Sequence, residues 1–190
     1  MAPVVAALRP HGTEVETRVA FTGQHTTLVD QVLEALDLTP DYELGIMTAG
    51  QSLYDVVERA LGGLREVVRH YAPDVLLVQG DTATVFVASL VGYFEGVRVG
   101  HVEAGLRSGD KRAPFPEEVL RRMTDVIADV HFAPTARARD HLLAENVPAG
   151  SGHAAVVPTP TGASATVFPV DGSADASMAA TAASEGVFVM

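Results

Sequence analysis

The sequence predicts an α/β fold, a doubly wound parallel sheet, and three observations predict it. Residues 75–78 form an unbroken apolar run that ends in Gly80-Asp81-Thr82, as expected of a strand buried on both faces of a parallel sheet. Residues 97–102 form a second short strand that ends in Glu103. Segments of helical period lie between and around these runs, so strand and helix alternate along the chain. The rim outside the carboxyl ends of the strands is where open α/β sheets carry their sites.

Each element has its own warrant. Residues 2–8 (APVVAAL) read as a helix with no strand or cap before it, and Pro10 and Gly12 then break the chain. Residues 15–21 alternate and read as a strand, followed by the turn Thr22-Gly23-Gln24-His25. Thr27 and Asp30 have capping-box spacing, and Leu28, Val32, Leu33 and Leu36 repeat at helical intervals. Residues 42–47 read as a short strand. Ser52 and Asp55 form a second capping-box pair. Leu53, Val56, Val57, Ala60, Leu61, Leu64, Val67 and Val68 then keep a 3.6-residue period, although Gly62 and Gly63 lower helix propensity. A helix over 82–94 follows the first buried strand. After the second, a loop with Gly105, Gly109, Pro114 and Pro116 delivers Glu117 and Glu118 to a helix over 116–128. Pro116 suits its first turn, and Val119, Met123, Val126 and Ile127 form its apolar stripe. A strand over 130–133 and a helix over 135–145 complete the pattern. Residues 151–190 contain no Lys or Arg, are rich in Ala, Ser, Thr, Gly and Pro, and show no clear period. They read as a poorly ordered tail, which leaves residues 1–150 as the folded domain.

Composition narrows the function. A chain of 190 residues that is 47% hydrophobic can build one domain with a real core. A net charge of -11 argues against a nucleic-acid or membrane-surface partner. With no cysteine there is no disulfide, thiol chemistry or cysteine-ligated metal, which is consistent with the cytoplasm. The opening MAPVVAALRP lacks the basic start and longer apolar run of a signal peptide. No apolar stretch is long enough to span a membrane.

The residues that could carry chemistry gather on the predicted rim. Asp81 has two readings: a helix cap, or a catalytic or ligand-orienting carboxylate beside a glycine that permits close approach. Glu103 is either solvated at a strand end or functional. Arg107, Lys111 and Arg112 form a local cationic loop that could hold a phosphate or simply neutralise its neighbours. Glu117 and Glu118 meet a helix dipole, the preferred reading for Glu118. Glu117 is different, because the preceding loop can fold back toward Glu103. Two carboxylates in a partly dry cleft drive their pKa values apart, supplying an acid and a base at one pH. His101 reads as a satisfied core histidine, and His25 as the better candidate for polar contact with a ligand. The histidines make no metal-ligand spacing, and there is no GxGxxG or Walker loop, so neither a metal nor a dinucleotide cofactor is expected.

TGQH, DQVLEALDLTPDYELGIM, LVQGDTATVFVASL, VGHVEAGLRSGDKRAPFPEE and HFAPT together resemble the non-hydrolysing UDP-N-acetylglucosamine 2-epimerases over about residues 1–150. The pairing of HVEAGLRSGD with PEE is far more specific than any single glycine motif. The resemblance implies a Rossmann-like doubly wound sheet, the N-terminal half of a glycosyltransferase-B-like fold with substrate in the cleft between two domains. It implies interconversion of UDP-GlcNAc and UDP-ManNAc by elimination of UDP to 2-acetamidoglucal and its re-addition. Asp81, Glu103 and Glu117 match the family's catalytic carboxylates. Gln24, Gln51 and Glu117 match positions lining a neighbouring site for UDP-GlcNAc as activator. No cofactor is implied, and self-association into a homodimer is, for which helix 51–71 offers a surface as well as a core face.

The chain departs from the family in several places. It starts after the first strand and its GTRPEAIK-like loop, so a central strand is expected to be missing. The second domain, with most uridine and diphosphate contacts and a catalytic histidine, does not follow. Leu120 stands where the family has Asn. The chain is therefore read as a truncated or frame-shifted form, inactive alone or dependent on a complementary polypeptide. A non-catalytic remnant that binds nucleotide sugar or a subunit stays open, as does another glycosyltransferase-B-like enzyme or a hydrolysing epimerase.

Overall fold

The computed structural model describes residues 1–12, 14–23, 27–147 and 185–190. Six strands form one sheet, β1 (Val15–Phe21), β2 (Tyr42–Glu43), β3 (Val75–Gln79), β4 (Arg98–Val102), β5 (Val130–Phe132) and β6 (Glu185–Val189). Their order is β2-β1-β6-β3-β4-β5, and every pairing is parallel. The helices α1 (Ala2–Leu8), α2 (Thr27–Ala35), α3 (Leu53–Tyr71), α4 (Ala83–Phe94), α5 (Glu117–Ile127) and α6 (Ala136–Ala144) fall between the strands in sequence. A Rossmann-like doubly wound parallel sheet is therefore the observed architecture.

Alternation along β3 splits the core into two layers. Leu76 and Val78 turn to one face, where Leu64 of α3, Val87 and Val91 of α4, and Val99 of β4 meet them. Leu77 turns to the other, with Val5 of α1 and Val19 of β1. The buried positions of α3, Val56, Ala60, Leu64 and Val68, recur every four residues along one face. Its start is locked by the predicted capping box: the Asp55 N–H donates to Ser52 Oγ at 3.3 Å, and the Ser52 N–H to Asp55 Oδ2 at 2.7 Å.

Three features differ from expectation. The first is the tail. Its last residues, 185–189, are not a loose end but β6, seated between β1 and β3. Its Val187 pairs with both Thr17 and Val75. Phe188 is fully buried against Tyr42 and Tyr71, with ring centroids 5.8 Å away in each case. The expected gap at the sheet centre is thus filled from the far end of the sequence. Counted with β6 first, the order becomes the doubly wound 3-2-1-4-5-6. A slot lined by the unpaired N–H and C=O groups of two strands accepts any short apolar strand, and five residues are too few to show a period in the sequence. Residues 148–184 lie outside the described residues.

The second difference is α5. Its buried residues are Glu118, Leu120, Thr124 and Asp125, whereas Val126 of the predicted apolar stripe is 85% exposed. Val119, Met123 and Ile127 line an open groove of about 460 Å³ with Phe86 and Leu90 of α4. The polar face turns inward because its carboxylates have partners there, which lowers the cost of burying them. Third, β2 is two residues long rather than six. Gly45 takes a left-handed φ of +56° and bends the chain, although Leu44 and Ile46 still donate to Phe21 O and Thr22 O.

Candidate active site

The carboxyl ends of β3 and β4 form the site. Gly80, at φ +92°, turns the chain sharply after β3. Thr82 then caps α4, its Oγ1 accepting the Val85 N–H at 3.4 Å. The capping reading of Asp81 is therefore not realised, and its carboxylate is left for other work. Asp81 Oδ2 lies 2.6 Å from Nη2 of Arg121, on the second turn of α5. This pair is only partly exposed, at 32% and 13% of the two side chains.

Glu103 follows β4 with φ +74°, a left-handed conformation in which a non-glycine residue stores strain. The N–H groups of Glu103 and Ala104 both donate to Phe132 O, at 3.0 and 3.2 Å. Its Oε2 accepts a long hydrogen bond from Gln79 Nε2 at 3.4 Å. Asp81 and Glu103 line one pocket with Gly80, Leu106 and Arg121, of about 110 Å³. Arg121 Nε is buried with no hydrogen-bond partner among the described residues, a state uncommon for a buried donor outside functional sites.

The other predicted residues fall elsewhere. Glu117 opens α5, half-buried, and is not among the lining residues of that pocket. Gln51 is half-buried ahead of α3. Its Oε1 accepts from the Thr48 N–H and from Thr48 Oγ1, and Nε2 contacts Met47 Sδ. Gln24 and His25 lie outside the described residues. Arg107 is not in the pocket lining, and its guanidinium is spent on neighbours. Its side chain is 7% exposed, with Nη2 2.8 Å from Asp125 Oδ2 and 2.7 Å from Glu145 Oε2. Burial works against its charge, but the bonds to Glu145 and Asp125 outweigh this and raise its pKa. Lys111 and Arg112 are exposed. The cationic cluster expected around Arg107 is thus replaced by a paired network.

Arg121 has no role in the sequence reading, and Glu118 does more than the helix-dipole role read for it. Arg121 carries a cation to the pocket; its place four residues after Glu117, on the same helix face, was the available signal. Glu118 is 1% exposed, accepts the Ser108 N–H at 3.0 Å and lies 3.7 Å from Arg121 Nη1. It fixes the 103–118 loop rather than only meeting the helix dipole. Among the described residues, no three His, Asp or Glu side chains gather as a metal site.

The profile of the family described as UDP-N-acetylglucosamine 2-epimerase matches residues 7–154. The UDP-N-acetylglucosamine 2-epimerase of Bacillus subtilis is 48% identical over 151 residues, which are 80% of this chain and 40% of the relative. That of Yersinia pestis is 49% identical over 148 residues, 78% of this chain and 39% of the relative. The crystal structure of the Neisseria meningitidis UDP-GlcNAc 2-epimerase bound to UDP-GlcNAc superposes with a TM-score of 0.76 at 41% identity, covering 83% of this chain and 42% of that one. The chain thus spans about 40% of the length of its curated relatives. A match over most of its residues, on a sheet that carries Asp81 and Glu103 at adjacent strand ends, makes this chain a member of the UDP-N-acetylglucosamine 2-epimerase family.

Proposed function

We propose that this chain supplies the carboxylate wall of a UDP-GlcNAc 2-epimerase site. In that reaction the C2 proton leaves as UDP departs from C1, giving 2-acetamidoglucal. A proton then returns to the opposite face of C2 while UDP re-adds at C1, so UDP-GlcNAc and UDP-ManNAc interconvert. The observation that carries the reading is the shared pocket of Asp81, Glu103 and Arg121. Two carboxylates lining one pocket can take and give the C2 proton and stabilise oxocarbenium-like charge. Glu117, one turn before Arg121, is the proposed third carboxylate. Gln24, His25 and Gln51 are proposed contacts for substrate or activator.

The pocket is also small. About 110 Å³ compares with several hundred for a site that encloses a ligand of this size, so the pocket takes one edge of the sugar. Turnover then depends on a second wall from a complementary polypeptide. The 190-residue chain incubated with UDP-GlcNAc should give no UDP-ManNAc by NMR. Addition of the second domain of a full-length relative should restore turnover, and Asp81→Asn or Glu103→Gln should reduce it about 100-fold or more. Restored turnover that both variants leave intact would sink the assignment. Should the chain bind UDP by calorimetry yet never turn over in any reconstitution, the binding-remnant reading replaces this one.

The same reading extends to assembly and location. Leu53, Val57 and Leu61 of α3 are 46%, 37% and 40% exposed beside the buried face of that helix, which favours a homodimer through α3. Light scattering should return twice the 19.9 kDa chain mass. The folded unit is taken as residues 1–147 completed by β6. We assign the protein to the cytoplasm, which fractionation of cells making the tagged chain checks. No described helix is long and apolar enough to cross a membrane.

A further inference from the structure

Beneath the pocket, His101 is fully buried on β4 with a hydrogen bond at each ring nitrogen. Nε2 lies 2.8 Å from Gly80 O and Nδ1 2.6 Å from Asp125 Oδ1. A backbone carbonyl only accepts, so Nε2 must carry a proton. The partner of Nδ1 is a carboxylate, and its other oxygen already faces two donors: Gly105 N–H at 3.2 Å and Arg107 Nη2 at 2.8 Å. The Arg107 guanidinium at 2.8 Å and the Gly105 N–H at 3.2 Å stabilise Asp125 as a carboxylate that only accepts. The proton between the two groups therefore belongs to the ring.

We propose that His101 is a buried imidazolium which, with Asp125, positions both Asp81 and Glu103 from beneath the site. The charges alternate along one chain of contacts: His101, Asp125, Arg107, Glu145. Each cation thus meets a carboxylate, with His101 and Asp125 buried and Glu145 at the solvent-exposed end. The groups that face this network are Asp125 and Arg122 from α5, the latter with Nη2 3.5 Å from Glu145 Oε1, His131 from β5, Arg107 from the loop, and Glu145 and His141 from the end of α6. His131 donates from Nε2 to Asp125 O at 2.7 Å, and burial keeps it neutral by lowering its pKa. His141 Nδ1 is 3.0 Å from Gly105 O. One end of the network holds the carbonyl of Gly80, the residue before Asp81. The other holds the amide of Gly105, two residues after Glu103. The turns that present the two carboxylates are therefore tied to one ion pair.

Asp125→Asn separates charge from shape. Gly105 N–H and Arg107 are donors, so the amide oxygen must face them and the amide NH₂ must face Nδ1. The ring then becomes neutral, with its proton on Nε2. Long-range ¹H–¹⁵N NMR of the labelled 190-residue chain at neutral pH reads this directly. The wild type should show two protonated ring nitrogens on His101 and a far-downfield Nδ1–H. In Asp125→Asn that proton should vanish, Nδ1 should read as bare, and the backbone amides of Asp81 and Glu103 should shift while those of Thr48 and Gln51 stay. One bare nitrogen in the wild type overturns the imidazolium; unmoved amides at both Asp81 and Glu103 overturn the positioning. If Asp125→Asn does not fold, Asp125→Glu replaces it: the ring should stay doubly protonated and the two amides should still move. The positioning role rests on the carboxylate site proposed above, whereas none of these readouts needs ligand or turnover. Failure of the epimerase reading and failure of this one are therefore told apart.

Discussion

Gly105 shows how tightly single residues are held around the pocket. Its φ is +80°, and an added Cβ would lie 2.2 Å from Ala138 O and 2.8 Å from Leu142 Cγ. Both the backbone angle and the contact with α6 exclude a side chain. Gly105→Ala should destabilise the chain by about 2–4 kcal/mol, read as a fall in the urea midpoint. A change under about 0.5 kcal/mol would mean that α6 does not press on this turn. At this scale the sequence was legible where a residue stood at a strand end. Asp81 and Glu103 stand where the ends of buried parallel strands predict, and they line one pocket. Arg121 and Asp125 were not legible, nor was the buried role of Glu118, because a polar residue on a helix looks solvated until its tertiary partner is known. For Arg107 the sequence leaves ligand contact and neutralisation of neighbours both open, because the carboxylates it pairs with lie 18 and 38 residues away in sequence.

Among the elements, α5 and β6 carry the physical lesson. Hydrophobic period orients a helix only when its polar face has no better use inside. In α5 the polar face turns inward, so Val126 of the apolar stripe is left outside while Met123 and Ile127 pack only partly buried against the core. Val126→Lys should therefore change stability by less than about 0.5 kcal/mol, measured by thermal or urea unfolding, although the apolar pattern alone would put that residue in the core. A large loss would reverse the helix orientation. For β6 the expectation runs the other way. Phe188 is 0% exposed, and Phe188→Ala should cost about 3–5 kcal/mol in the same assay. A near-neutral result would mean that the strand is not seated between β1 and β3. The strands and helices before residue 147 were legible from local pattern. β6 was not, because its pairing partners are fixed by long-range topology and not by its own residues.

For the molecule as a whole, the buried ionisable groups set an acid limit. His131 is buried neutral with a lowered pKa. Its contribution to stability is fully present above the unfolded value of about 6.5 and is lost as pH falls through the folded value. Asp125 is lowered against its burial by His101 and Arg107. Glu145 is lowered by its hydrogen bond with Arg107. Their contributions are present above about pH 4 and are lost as pH falls further. Thermal melts between pH 8 and 3 should show Tm falling first below about 6.5 and again below about 4. A Tm that is flat from pH 7 to 5 would contradict the buried neutral His131.

The strand order has a consequence for how the molecule comes into being. β1 pairs with β2 and β6, and β3 with β4 and β6; nothing in the sheet joins β1 to β3 directly. A nascent chain leaving the ribosome holds two partial ribbons whose facing margins stay unmatched until the residues near 189 emerge. At ordinary elongation rates that interval after α6 lasts roughly 2–9 s, long enough for either margin to meet another polypeptide first.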